Sequence, residues 1–190
     1  MNVDLYRETF DIFCNCIKER NPDILELACG PGNITKYLLE QRSDFKISGI
    51  DLAPNMIELA RINNPTAEFQ LMDCRDIRLI NKKFEAIMCG FCLPYFSKED
   101  AERLIKDSSE LLNSGGVLYI STMEDDYTKS GFKKGSTGDE MYMYYHEADH
   151  LIKALKENNF EVIDLQRKVS TTPDGLIVTD LIIISSKTEI

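Results

Sequence analysis

An α/β fold built on a doubly wound, mostly parallel sheet is what this sequence predicts, and three observations predict it. Five short apolar runs alternate with stretches of helical spacing between residues 24 and 122. A glycine turn, Cys29-Gly30-Pro31-Gly32, separates the first run from the helical stretch after it. The last two apolar runs are joined by Thr172-Pro173-Asp174-Gly175, too short for a helical crossover, so they should pair antiparallel.

Each element has its own signal. Leu5, Phe10, Phe13 and Ile17 fall three to five apart and predict an N-terminal helix over residues 1–20, broken at Asn21-Pro22. Ile24 to Ala28 reads as the first strand, followed by the glycine turn and a helix through Ile34, Tyr37, Leu38 and Leu39. Lys46 to Asp51 is the second strand, and Pro54 opens the next helix, where its missing N–H costs nothing. Ala67 to Met72 and Phe84 to Cys89 are the third and fourth strands. Ser97, three residues before Asp100, caps a helix that should end near Leu112 at Asn113-Ser114-Gly115-Gly116. Val117 to Thr122 is the fifth strand; a helix from about Glu147 to Asn158 then leads into strands Phe160–Lys168 and Leu176–Ser185.

The 190 residues, 43% apolar and 28% charged, can bury one sizeable core, so a single domain over residues 1–190 is expected. A net charge of −10 repels polyanions, which argues against nucleic acid and anionic lipid as partners. The opening segment lacks the basic and apolar pattern of a secretory leader and no run is long enough to span a membrane, so the chain reads as cytoplasmic. Its six cysteines then read as reduced thiols.

The densest chemistry lies at Glu26-Leu27-Ala28-Cys29-Gly30-Pro31-Gly32. Glycine there lets the backbone turn and approach a ligand, while free amides at the helix start face the same crevice. A dinucleotide fingerprint needs a third glycine where this chain has Thr35, which disfavours NAD. Asp51, 19 residues past Gly32, stands where an acid accepts hydrogen bonds from a ribose. Two further words, Gly49-Ile50-Asp51-Leu52-Ala53-Pro54-Asn55-Met56 and Met72-Asp73-Cys74-Arg75-Asp76, follow in order.

In this order and spacing the sequence resembles the class I S-adenosylmethionine-dependent methyltransferases over nearly its whole length. The resemblance implies a Rossmann-like sheet of seven strands with an antiparallel C-terminal pair, and S-adenosylmethionine as cofactor with S-adenosylhomocysteine as product. It implies that Glu26 lies near the methionine amine, that Ala28, Cys29 and Gly30 line the methionine, and that Gly32 completes the turn. Asp51 would hold the ribose, Leu52 and Met56 would border the adenine, and Asp73 with the Cys74 backbone would read its edge. Cys89, Gly90 and Phe91 would close the pocket. Ala28 departs from the commonest pattern, which has glycine there.

Residues 125–145 are polar, glycine-bearing and tyrosine-rich, and members of this compact shape build their acceptor pocket in that segment. A lid hinged at Gly131, Gly135 and Gly138 is expected, with Tyr6, Tyr95, Tyr142, Tyr144 and His146 as acceptor-pocket candidates and His146 as the candidate base. The sulfonium methyl is already activated, so a dedicated base is optional and the acceptor atom cannot be read. Two motifs compete. His146-Glu147-Ala148-Asp149-His150 matches a zinc motif and Cys89-x-x-Cys92 a thiol motif, both without supporting context, so no metal site is expected. Three function classes follow: a methyltransferase for a small molecule, a cofactor-binding module of that fold without catalysis, and a zinc or thiol enzyme.

Overall fold

The computed structural model describes residues 3–134, 140–171 and 175–188. The chain starts with a 3-10 turn, Val3–Tyr6, and helix α1, Arg7–Cys16, which buries Phe10 and Phe13. β1, Asp23–Leu27, leads through the glycine turn into α2, Asn33–Gln41, and β2, Lys46–Asp51. Proline at the first helical position opens α3, Pro54–Asn63, which precedes β3, Glu68–Leu71. β4, Phe84–Cys89, is followed by α4, Lys98–Leu111, capped by Ser97, whose hydroxyl accepts the Asp100 N–H at 3.1 Å. β5, Leu112–Met123, gives way to a hairpin, β6 (Gly131–Lys134) and β7 (Glu140–Met143). α5, Ala148–Glu157, then leads to β8, Phe160–Thr171, and β9, Ile177–Lys187.

Seven strands form one sheet in the order β3-β2-β1-β4-β5-β9-β8, while β6 and β7 pair separately. β1 runs parallel to both β2 and β4, so the strand order reverses at β1 and opens a crevice at the carboxyl ends there. β9 pairs antiparallel with β5 and β8, as the short connection required. On one face α1 and α2 pack Phe10, Phe13, Tyr37 and Leu38 over Met88, Tyr119, Ile182 and Ile184. On the other, α4 and α5 pack Leu104, Ile105, Leu151 and Leu155 over Leu25, Ile87, Leu118 and Ile183.

Three details differ from the sequence expectation. The N-terminal helix ends at Cys16 because Ile17 turns extended, buries its side chain, and offers its carbonyl to Arg42 Nη1 at 2.7 Å. Leu5, assigned to the apolar stripe, is exposed. β5 begins at Leu112, with Asn113 held alongside β4 by its amide donating to Glu85 Oε1 at 2.7 Å. Gly135 and Gly138, two of the three hinge glycines, and Thr172-Pro173-Asp174 of the β8–β9 turn lie outside the described residues. Among the described residues no helix is long and apolar enough to cross a membrane.

Candidate active site

The turn after β1 is held by its own backbone. The Cys29 N–H donates to the Ile50 carbonyl at 2.9 Å and the Gly32 N–H to the Cys29 carbonyl at 3.0 Å. Ala28, Gly30 and Gly32 all take positive φ, at 51°, 53° and 79°. Left-handed backbone costs an alanine about 1 kcal/mol relative to glycine, so Ala28 carries strain that the commoner glycine would not. Gly32 is required twice over. Besides its φ, a Cβ there would lie 2.3 Å from Asn64 Nδ2, which donates to the Gly32 carbonyl at 3.0 Å from a buried position. A Cβ on Gly30 would meet nothing within 4 Å, which leaves open space over that part of the turn.

Asp51 joins this turn to the next one. Its Oδ2 accepts the Gly30 N–H at 2.9 Å and its Oδ1 accepts the Ala53 N–H at 2.8 Å. Each carboxylate oxygen has two acceptor sites, so both can still receive hydroxyl protons. Glu26, on β1 two residues before Ala28, is buried against α2, whose Thr35 hydroxyl donates to it. Burial pushes its carboxyl up to about 8, against the Thr35 hydrogen bond and with a further push from Asp51, so near neutrality it keeps its proton.

Beside Asp51 lies a cavity of about 200 Å³ walled by Ala28, Leu52, Asp73, Cys74 and Tyr95, together with Arg75, Cys92 and Phe96. Asp73 caps the 3-10 turn Cys74–Leu79 by accepting the Arg75 N–H at 2.9 Å. Arg75 reaches back to Asp73 at 3.2 Å and lays its guanidinium over the Phe96 ring at 4.6 Å, closing that wall. Cys74 is driven up by its contact with Cys92 and by burial, and both thiols stay protonated. Cys89 and Cys92 are buried and free, which is packing rather than thiolate chemistry.

The remaining predicted residues fall around this cavity rather than in its wall. Cys29 packs beneath the turn against Phe69, and Met56 is half-buried on α3. Gly90, beyond the end of β4, leaves no room for a Cβ, which would lie 2.4 Å from Ile34. Phe91 adopts a φ of 57° and donates its N–H to Ser121 Oγ at 2.9 Å, while Tyr6 meets it edge-on at 4.9 Å. Tyr6 is buried and Tyr95 is exposed.

The hairpin carries a run of rings: Phe132 beside Tyr142 at 5.2 Å, Tyr142 beside Tyr144 at 4.7 Å, and Tyr144 stacked on Tyr127 at 6.1 Å. Phe132, Met141 and Tyr142 are exposed, so this strand is not core. His146 ends the run. Its Nε2 lies 3.0 Å from the Leu93 carbonyl and 3.1 Å from that of Phe96, which assigns the proton to Nε2, and Nδ1 is buried without a partner among the described residues. Burial pushes the imidazole pKa down, against the two carbonyls. His146 precedes α5 instead of sharing a helical face with His150, so the zinc-motif geometry does not form. Among the described residues no three His, Cys, Asp or Glu side chains are grouped for a metal.

Sequence reading missed Arg75, Cys92 and Phe96 in the cavity wall, and Thr35 as the partner of Glu26. Thr35 stands where a dinucleotide fingerprint has glycine, and its bond to Glu26 leaves no mark on the spacing. Arg75 carries no local signal either, because nothing nearby in sequence tells an arginine to turn back onto a ring 21 residues away.

The cavity suits an adenosine: an acid with free acceptor sites, apolar walls, and a glycine turn with open space beside it. A family model described as a methyltransferase domain matches residues 24–116. Malonyl-[acyl-carrier protein] O-methyltransferase of Acetivibrio thermocellus is 36% identical over 102 residues, covering 53% of this chain and 35% of that protein. Demethylmenaquinone methyltransferase of Thermotoga maritima is 25% identical over 170 residues, covering 77% and 73%. The chain spans little more than a third of the length of two of the curated relatives it matches. A solved S-adenosylmethionine-dependent methyltransferase from Methanosarcina mazei superposes with a TM-score of 0.78 at 18% identity, covering 93% of this chain and 97% of that one. Residues 24–116 thus match a methyltransferase-domain model, and the chain shares its fold with a solved S-adenosylmethionine-dependent methyltransferase.

Proposed function

We propose that this protein binds S-adenosylmethionine and transfers its methyl group to a small-molecule acceptor. The observation that carries the reading is Asp51, fixed by the Gly30 and Ala53 amides at the mouth of a cavity that also holds Leu52, Asp73 and Cys74. Asp51 would take the ribose hydroxyls, Leu52 and Met56 the adenine faces, and Asp73 with the Cys74 backbone its edge. Glu26, Ala28, Cys29 and Gly30 would bracket the methionine portion on the Gly32 turn, with Cys89, Gly90 and Phe91 beyond it. The two relatives described are named for methylating malonyl-[acyl-carrier protein] and demethylmenaquinone, which supports an acceptor other than nucleic acid.

When bound, the cofactor supplies a methyl group already activated by its sulfonium charge. The chain's own residues then have to align and dry the site. Asp51 fixes the ribose end. Glu26 gives up its proton when a cationic amine arrives beside it, because an opposite charge favours the ionised carboxyl. Residues 125–134 and 140–145 act as the lid, with the rings of Tyr127, Tyr142 and Tyr144 excluding water from the acceptor. His146 serves as a clip that ties the lid base to Leu93 and Phe96, rather than as the base, since its one free nitrogen is shut from solvent. Six free cysteines and no disulfide among them support a reducing compartment such as the cytoplasm.

Equilibrium binding of S-adenosylmethionine, S-adenosylhomocysteine and NADH to the whole protein tests this. Micromolar binding of the first two without NADH is expected. A folded protein that binds neither sulfur ligand overturns the reading.

A further inference from the structure

Tyr6 and Asp180 are separated by 174 residues, yet the Tyr6 hydroxyl donates to Asp180 Oδ2 at 2.7 Å with both side chains buried. Asp180 lies near the start of β9 opposite Met123, the last residue of β5, and so at the carboxyl edge of the sheet. It shares a sheet face with Ile182 and Ile184, beneath α1. A carboxylate withdrawn from water needs a cation or several donors. Among the described residues Asp180 has one such donor, the neutral Tyr6 phenol. Lys168 stands opposite it on β8, but the Lys168 ammonium is 2.8 Å from Glu8, and among the described residues no cation pairs with Asp180.

The surroundings continue without charge. Thr9 Oγ1 donates to the Tyr6 carbonyl at 2.7 Å and lies 3.0 Å from the Tyr119 hydroxyl. The Tyr6 ring meets Phe91, just beyond β4, where the reading above sets the wall of the reacting end. A tyrosine needed only to pin the N-terminal segment would be served by a neutral acceptor, without a buried acid. The Tyr6 hydroxyl fills one of roughly four acceptor positions on the carboxylate, leaving others for a ligand.

We propose that Asp180, screened by Tyr6, is the recognition group for the methyl acceptor, and that the acceptor it fits bears a protonated or N–H-carrying nitrogen. The proposal rests on the methyltransferase reading and names the substrate class of that site. Asp180 anchors the acceptor through this nitrogen beside Phe91, leaving the methyl to an acceptor atom that carries a free lone pair, and Tyr6 shares or yields its hydrogen bond as the nitrogen arrives. The net charge of −10 favours approach of such a cation.

The test uses the whole protein saturated with S-adenosylhomocysteine. It is titrated with phenethylamine, whose ring suits Tyr6 and Phe91, and with 2-phenylethanol and 3-phenylpropionate as uncharged and anionic analogues. The amine should bind at least tenfold more tightly than the acid. Asp180→Asn should bring the two within threefold, while Tyr6→Phe, which removes the pin and spares the carboxylate, should keep the preference. Equal affinities in the wild type, absence of amine binding, or a preference that survives Asp180→Asn would overturn the proposal. The wild-type comparison stands even if Asp180→Asn does not fold. Failure to bind S-adenosylhomocysteine at the first step would sink the methyltransferase reading itself, and is seen separately.

Discussion

From the end of β1 to just past β3 the groups of the proposed cofactor site are drawn from one stretch, residues 30–74: the amides of the Gly30 turn, the Asp51 carboxylate they orient, and the loop at Asp73 and Cys74. Between β5 and β9 the groups are side chains brought from both ends of the chain, with Tyr6 meeting Asp180 and His146 meeting Leu93. Backbone geometry of this kind demands particular residues at particular spacings and therefore writes a motif. Side chains that meet across the fold demand nothing of their sequence neighbours. The difference explains why the cofactor can be read and the acceptor cannot.

The sharpest way to break the comparison is to put a side chain on the turn. Gly32→Ala should destabilise the protein by about 3–4 kcal/mol, from left-handed strain plus displacement of the buried Asn64 amide. Urea denaturation reads this, and a loss under 1 kcal/mol would mean that the turn is not rigid.

Glu26 offers the next largest effect. Its folded pKa, about 8, exceeds the ordinary value of 4.5, so its contribution is fully present below 4.5 and lost as pH rises through 8. Glu26→Gln should therefore equal wild type near pH 4.5 and become steadily more stable than it as pH rises to 8.5. Denaturation curves at the two pH values check the crossover.

The β1–α2 turn, Asp51 and the antiparallel last pair were legible because glycine, proline and strand-ending acids are local signals. The capping of α4 by Ser97 was legible for the same reason. The early end of α1 was not, because Arg42 from another element takes the Ile17 carbonyl. Asp180 was invisible as an acid inside an apolar strand, since its partner Tyr6 lies at the other terminus.

His146 gives a smaller effect on the acceptor side. Its folded pKa is depressed, so the unfolded chain takes up the proton first and stability falls as pH drops below about 6.5. Wild type should lose stability between pH 7 and pH 5 relative to His146→Gln, measured as the difference between their denaturation profiles. Identical slopes would mean that the imidazole titrates as it does in water. The smallest change expected is Ala28→Gly, which relieves a φ of 51° and should stabilise by about 0.5 kcal/mol, since glycine also loosens the unfolded chain. Thermal melts of the two proteins side by side resolve it.

The most direct measurement is calorimetric titration of S-adenosylhomocysteine into wild type and Asp51→Ala. The account predicts micromolar binding by wild type and at least 100-fold weaker binding by the variant, with both proteins folded. Equal affinity in the two would contradict a cofactor site organised on Asp51.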